Sequence, residues 1–214
     1  LRALFPMYQT PFQVVTLASS GITSVTQLAG HRVSVGPAGG TPGTYWPRFL
    51  ETLGVDATVS NAGAADAASQ LKDGLIDAFA FAAGVPISAF SQLAAEADVR
   101  MFGFTPDELQ TILAAHPEVS PLTIPAGTYA GVDYDQQSVA MWNFAIANAS
   151  MPDSLAYEIT RLVMENHDRM MEIHRAASET TMDNVLNDTF LPFHPGAVRY
   201  YEEHGITIPE NLRG

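Results

Sequence analysis

The sequence predicts an α/β protein built on a largely parallel sheet. Between residues 32 and 115, short β-branched runs alternate with helix-period segments across brief connections. That is the pattern of strands joined by right-handed helical crossovers. Punctuation agrees: Thr105-Pro106-Asp107-Glu108 supplies an N-cap, a proline at N1 and an acid at N3, and Gly54 and Gly74 sit where helices stop. Finally, Arg32-Val33-Ser34-Val35 runs straight into the glycine loop GPAGGTPGT (36–44) and then a helix. A strand, loop and helix N-terminus in that order leave main-chain N–H groups without partners, a seat for a carboxylate or phosphate.

In chain order, 1–5 and 13–18 read as strands, with Tyr8 in a loop between Pro6 and Pro11. Ser24 to Gln27 matches a capping box opening a short helix that ends near Gly30. A strand at 32–36 leads to a helix over 41–53, with Thr41 as N-cap and Pro42 at N1. Strands at 55–60, 76–81 and 99–104 alternate with helices at 65–72, 87–97 and 106–115. Residues 121–134, with two prolines, two glycines and two tyrosines, read as a crossing segment. A strand at 138–146, one helix over 152–176 capped by Ser150, a helical turn at 182–186 and a helix at 195–204 complete the chain.

Composition narrows the function. The 214 residues are 47% hydrophobic, enough for a sizeable core. A net charge of -13 argues against nucleic acid and anionic membrane surfaces as partners. Cysteine is absent, which excludes a disulfide frame, a thiolate metal site and a cysteine nucleophile. No apolar run reaches the roughly 18–20 residues that span a bilayer. The chain opens on LRALFPMYQT, without an initiator Met or signal peptide, and reads as cut from a longer one.

The glycine loop is not a Walker A loop, because no Gly-Lys-Ser/Thr follows, and Gly36 and Ala38 break the dinucleotide fingerprint. It suits a carboxylate held by the N–H groups of Gly39, Gly40 and Gly43 and the hydroxyl of Thr41 or Thr44; Pro42 offers no N–H. Residues 61–64 and Ala82, Ala83 and Gly84 fall at neighbouring strand ends and converge on it. None of the six histidines has metal-ligand spacing, no G-x-S-x-G elbow exists, and Asp73 and Asp77 read as solvated or capping, so no catalytic residue or metal ligand is assigned. Trp46 and Phe81 read as core. Tyr8 and Tyr129 offer a cleft ligand an apolar face and a hydroxyl. Arg2, Arg32 and Arg48 are candidates for a bidentate carboxylate clamp.

Three segments carry a family resemblance. Leu28-Ala29-Gly30-His31-Arg32-Val33-Ser34-Val35-Gly36-Pro37-Ala38-Gly39 resembles the glycine-loop segment of TAXI-type solute-binding proteins, the receptors of TRAP transporters. Leu71-Lys72-Asp73-Gly74-Leu75-Ile76-Asp77-Ala78-Phe79, followed by Gly84-Val85-Pro86, is similar to a second segment of that family. Pro192-Phe193-His194-Pro195-Gly196-Ala197-Val198-Arg199-Tyr200-Tyr201-Glu202-Glu203-His204-Gly205 resembles its closing segment. The resemblance implies a periplasmic binding protein of type II, with two lobes and a hinge. Lobe one would hold 1–28 in part, lobe two 29–124 whole, and 125–214 would return to lobe one, with hinges at 18–20 and 125–127. It implies a periplasmic receptor without a cofactor that binds a small carboxylate, an organic acid or amino acid, in an interlobe cleft and delivers it to the membrane subunits of a TRAP permease.

The implied ligand residues are Gly39, Gly40, Thr41, Gly43 and Thr44, flanked by Ala82, Ala83 and Gly84, with Tyr8, Gln9 and Tyr129 from the hinge side. The family's Gly-Ser-Gly-Thr reads Gly39-Gly40-Thr41-Pro42 here, which leaves the ligand open. Family members carry roughly 80–90 more residues at the front, about what completes a lobe. An enzyme on the same architecture and the effector-sensing domain of a transcription regulator are the alternatives. The first needs a titratable pair in the cleft and the second a DNA-binding module.

Overall fold

The βα alternation of 32–115 folds as a sheet whose strands share one direction. The computed structural model describes residues 1–187 and 190–214. β1 spans Arg2–Leu17, β2 Arg32–Ser34, β3 Thr58–Ser60, β4 Ala78–Ala82, β5 Val99–Phe102, β6 Ser120–Ile124 and β7 Gln136–Ala147. The helices are α1 Thr41–Thr52, α2 Ala64–Lys72, α3 Ser88–Glu96, α4 Pro106–Ala115, α5 Asp153–Glu165, α6 His167–Ile173 and α7 Pro195–Glu203. β2 pairs in parallel with β3 on one side and β4 on the other. β1 lies antiparallel to both β4 and β5, so β2 to β5 all point one way and β1 runs against them. β1 also neighbours β7, which pairs antiparallel with β6. The expected α/β class is what the chain adopts.

One expectation fails at the start. The two strands read at 1–5 and 13–18 are a single strand of 16 residues, and Tyr8 lies within it, not in a loop. Proline's fixed φ suits extended backbone; only a donor is lost at Pro6 and Pro11. Beyond Pro11 the backbone is held by a side chain: Phe12 N–H donates to Ser138 Oγ at 3.1 Å, and that hydroxyl donates to Phe12 O at 2.7 Å.

Two compact units divide the chain, Thr10–Met141 and Leu1–Gln9 with Trp142–Gly214. β1 and β7 each pass from one unit into the other. In the unit 10–141 each sheet face has its own core. Val33, Val35 and Val14 pack with Trp46, Phe49 and Leu50 of α1 and Ile112 of α4. Val15 and Phe79 pack with Leu71 of α2, Phe90 and Leu93 of α3, and Met101. Alternation along β1 therefore sends Val14 and Val15 to opposite layers, as strand pleating requires. The Phe12 and Phe49 rings meet edge to face at 4.9 Å.

In the other unit α5 and α7 pack closely. A Cβ on Gly196 would stand 2.1 Å from Asp153 O and 2.8 Å from Tyr157 N, so only glycine admits that approach. The expected single helix over 152–176 is two, broken at Asn166, whose side-chain amide donates to Leu162 O at 2.8 Å. Such a side chain competes with the main-chain ladder for its carbonyl. Ser150 is not the N-cap; Pro152 holds that position, and Ser150 N–H and Oγ both turn to Asn148 Oδ1.

Capping explains two further differences. α4 has the full expected box: Thr105 Oγ1 accepts from Glu108 N–H at 3.4 Å, and Glu108 Oε2 accepts from Thr105 N–H at 2.8 Å. The other oxygen of Glu108 accepts from Thr26 N–H at 2.7 Å, and Gln27 bonds back to Thr23. The segment read as a capped helix at 24–30 is accordingly a single 3₁₀ turn, Thr26–Leu28.

At the amino edge of the sheet Arg32 and Asp77 form a clip. Arg32 donates to Asp77 from N, Nε and Nη2, at 2.8, 3.1 and 2.7 Å, and also to Gly74 O at 3.0 Å. These bonds, led by the guanidinium, hold the Asp77 carboxyl down to about 2. A carboxyl depressed in the folded chain contributes stability above its unfolded pKa, about 4, and loses it as pH falls towards 2. With Arg32 half exposed, solvent screening limits this to about 1–2 kcal/mol. Asp77→Asn is expected to cost that much in urea unfolding at pH 7, with the gap from wild type narrowing between about pH 4 and pH 2.

Candidate functional site

Because β2 is paired on both sides, three strand ends lie side by side at the carboxyl edge of the sheet: that of β2 in the middle, β3 and β4 flanking it. The glycine loop leaves β2, residues 61–63 leave β3 and residues 83–87 leave β4, which is the convergence expected. The glycine loop is pinned from both flanks. Asn61 Nδ2 donates to Gly36 O at 2.9 Å, and Trp46 Nε1 in α1 donates to Phe81 O at 3.1 Å. Trp46 is fully buried, as expected of core, and Phe81 is partly buried.

Close contact dictates the glycines. Gly36 has φ +83°, and a Cβ there would meet Pro42 Cγ at 2.6 Å. A Cβ on Gly43 would meet Pro37 O at 2.2 Å. The loop therefore folds back on the first turn of α1.

The N-cap of α1 is Gly40, one residue earlier than expected, which puts Thr41 at N1, Pro42 at N2 and Gly43 at N3. Gly40 N–H donates to Pro37 O at 3.1 Å, so that expected donor is spent within the loop. The N–H groups of Gly39, Thr41 and Gly43 donate to no group among the described residues. Thr41 and Thr44 are exposed, with hydroxyls free in the same sense. α2 and α3 start at the same edge from Gly63 and Ile87, and neither has a side-chain cap. The contrast is α4, whose first turn is closed by its own box. Residues 35–44, 61–65 and 82–88 carry no charged side chain, so the positive potential here comes from main-chain dipoles. Ala82 is buried, and Ala83 and Gly84 are partly so.

The remaining expected residues meet groups of the protein itself. Tyr129 is buried, its hydroxyl donating to Gln13 Oε1 at 2.8 Å and accepting from Ile87 N–H at 3.0 Å. Burial pushes its phenol well above the ordinary range. Gln13 Nε2 donates in turn to Gln136 Oε1 at 3.0 Å. The tyrosine thus serves a buried network that holds the start of α3, which corrects its reading as a ligand contact. Nothing in spacing linked residues 13, 129 and 136; only an unmatched glutamine in a strand reading apolar hinted at it.

Tyr8 and Gln9 belong to the other unit. Tyr8 O accepts from Asn143 Nδ2 at 2.9 Å. Gln9 holds the carboxylate of Glu179, a pairing across 170 residues that sequence reasoning missed. The three candidate arginine clamps are used internally. Arg32 takes Asp77, Arg48 takes Glu118 at 3.1 Å and lies over the Tyr45 ring, and Arg2 Nη1 donates to Leu1 O. Among the described residues no group of three or more metal-ligating side chains is arranged to hold a metal ion, and no helix is long and apolar enough to cross a membrane.

A family model described as the NMT1-like family matches residues 1–205. Among solved structures, the chain is similar to a substrate-binding protein of an ABC uptake transporter from Streptococcus pneumoniae with bound histidine: 15% identity, TM-score 0.47, 82% of this chain and 58% of that one. It is similar to the periplasmic aliphatic sulphonate binding protein of Escherichia coli at 13% identity and TM-score 0.46, covering 99% of this chain and 60% of that one. A Brucella ovis periplasmic binding protein with glutathione bound matches at 11% identity and TM-score 0.45, covering 85% and 45%. The chain spans less than two thirds of each of these proteins.

The loop geometry makes its two kinds of glycine separable. Gly39, at φ +77°, has open space where a Cβ would go, so Gly39→Ala should cost about 1 kcal/mol of backbone strain. Gly43→Ala drives a methyl into Pro37 O and should cost about 3 kcal/mol. Chemical denaturation of the two variants checks the order.

Proposed function

On the premise that the chain belongs to the NMT1-like family, we propose that it is an extracytoplasmic solute receptor for a small organic acid or amino acid, which it delivers unchanged to a TRAP-type permease. The observation that carries the reading is the set of unpaired N–H groups of Gly39, Thr41 and Gly43 at the start of α1. They are donors only, sit at a helix N-terminus, and have no side-chain cap to satisfy them. A carboxylate is the complement of that arrangement.

The chemistry of the edge supports binding over turnover. Residues 35–44, 61–65 and 82–88 include no acid, base or amine. No general acid–base pair is built into these loops, and no lysine or arginine is present to neutralise a phosphate dianion. A carboxylate carries a single charge, which main-chain donors can match. The connectivity supports the two-lobed, type II reading: the chain crosses between its units along β1 and again along β7, and β1 enters the parallel strands from outside their alternation. Delivery to a TRAP permease and a periplasmic setting rest on the resemblance of the three segments to TAXI-type receptors.

Thr41→Pro tests the seat. Proline is favoured at N1, and Gly40, at φ -80° and ψ 165°, already has the conformation that precedes proline. The variant keeps the fold and loses one main-chain donor and one hydroxyl; Thr41→Val loses the hydroxyl alone. Isothermal titration with amino acids and short carboxylic acids is expected to find a ligand that Thr41→Pro binds about tenfold more weakly than Thr41→Val does. Equal affinities in the two variants would rule out the main-chain seat.

A further inference from the structure

In the unit 10–141, Arg32, Arg48 and Lys72 are each paired with a carboxylate. Arg100, the remaining cation of that unit, has neither an ion pair nor a side-chain hydrogen bond among the described residues. Its guanidinium lies over the Tyr134 ring, 4.2 Å from the centroid. The ring is held in turn, its hydroxyl donating to Met101 O at 2.9 Å and accepting from Met101 N–H at 3.4 Å. Stacking engages the face of a guanidinium and leaves the N–H groups along its edge free. Arg100 is therefore a fixed cation with unspent donors, in a chain of net charge -13.

Arg100 lines a cavity of about 150 Å³ where β5 runs out beside the start of β7. The two strands are locked there. Phe104 N–H donates to Gln137 O at 2.7 Å, and a Cβ on Gly103 would stand 2.0 Å from the same oxygen. Asp135 lines the same cavity. Its Oδ1 accepts from Ala126 N–H at 2.9 Å, and its Oδ2 has no partner among the described residues. A cation and a carboxylate thus share one small space without pairing with each other. Gln136 is a buried part of the wall. The Tyr129 network ends on it: Gln13 Nε2 donates to Gln136 Oε1, which leaves Gln136 Nε2 as a buried donor without an acceptor.

We propose that this cavity is a second solute site, which takes a small zwitterionic amino acid with its carboxylate on the Arg100 guanidinium and its ammonium on Asp135 Oδ2. A bare anion would meet the repulsion of Asp135 and a bare cation that of Arg100, whereas a zwitterion satisfies both. Its carboxylate also brings an acceptor to a wall that lacks one. The volume equals the share of about five water molecules, which suits the smallest amino acids, glycine and β-alanine. Every residue of the site belongs to the unit 10–141, and none belongs to the glycine loop, so the proposal does not rest on the receptor reading.

Proton–nitrogen NMR of the full chain tests the site, read at the Arg100 Nε–H and the Asp135 main-chain amide. Glycine, β-alanine, acetate and methylammonium are titrated in separately. Saturable shifts at both groups are expected, with the better amino acid bound about tenfold more tightly than either singly charged compound. Arg100→Gln removes the cation, and Asp135→Asn removes the charge while keeping an acceptor for Ala126. Each is expected to weaken that amino acid by about the same factor. Amino acids that leave both groups unmoved overturn the site, and shifts confined to Gly39, Thr41 and Gly43 overturn it while keeping the receptor. Acetate bound as tightly as the better amino acid, or unchanged affinity in either variant, also overturns it. Should a variant fail to fold, the wild-type comparison with acetate decides alone.

Discussion

The double pairing of β2 is the constraint on which the candidate site depends. A parallel strand with a partner on each side must deliver its loop between two others. Here the middle loop is the one richest in glycine, and Asn61 and Phe81 brace it from the flanks. The rest of the unit maintains that pairing. Buried aromatic layers on both faces hold α1 and α3 against the sheet, and β1, inserted antiparallel, closes the far side of β4.

The two edges of this sheet treat their polar groups in opposite ways. At the amino edge Arg32 meets Asp77 and Gly74 with four hydrogen bonds, and depresses the acid accordingly. At the carboxyl edge three helices begin without side-chain caps, and the bond from Gly40 N–H to Pro37 O shapes the turn of the glycine loop. α4 shows that the same chain can close a helix start with its own side chains. Uncapped donors cost stability unless water or a ligand meets them.

Much of this was legible in the sequence because it is local. The alternation of 32–115, the Thr105 box and the glycine loop are short-range patterns, and each lies where its residues put it. What was not legible depends on long-range partners. Pro6 and Pro11 looked like breaks because a hydroxyl from Ser138 cannot be foreseen in the strand it supports. The capping box at residues 24–27 lost to Glu108, an acid more than eighty residues away that serves two amides at once. The site was legible in part for the same reason: the loop donors are local, whereas Tyr129 and the three arginines found internal partners that no spacing announces. Gln9 is a further case: its main-chain and side-chain donors hold Glu179, a partner 170 residues away that no spacing announces.

The claim at the centre of this account is that main-chain N–H groups of the glycine loop hold a ligand's carboxylate. Amide chemical shifts followed by proton–nitrogen NMR while amino acids and short carboxylic acids are titrated in test it most directly. The account predicts saturable downfield shifts of the Gly39, Thr41 and Gly43 amides, with the capped Glu108 amide unmoved. Saturable binding of a carboxylate that leaves those three amides in place would contradict it.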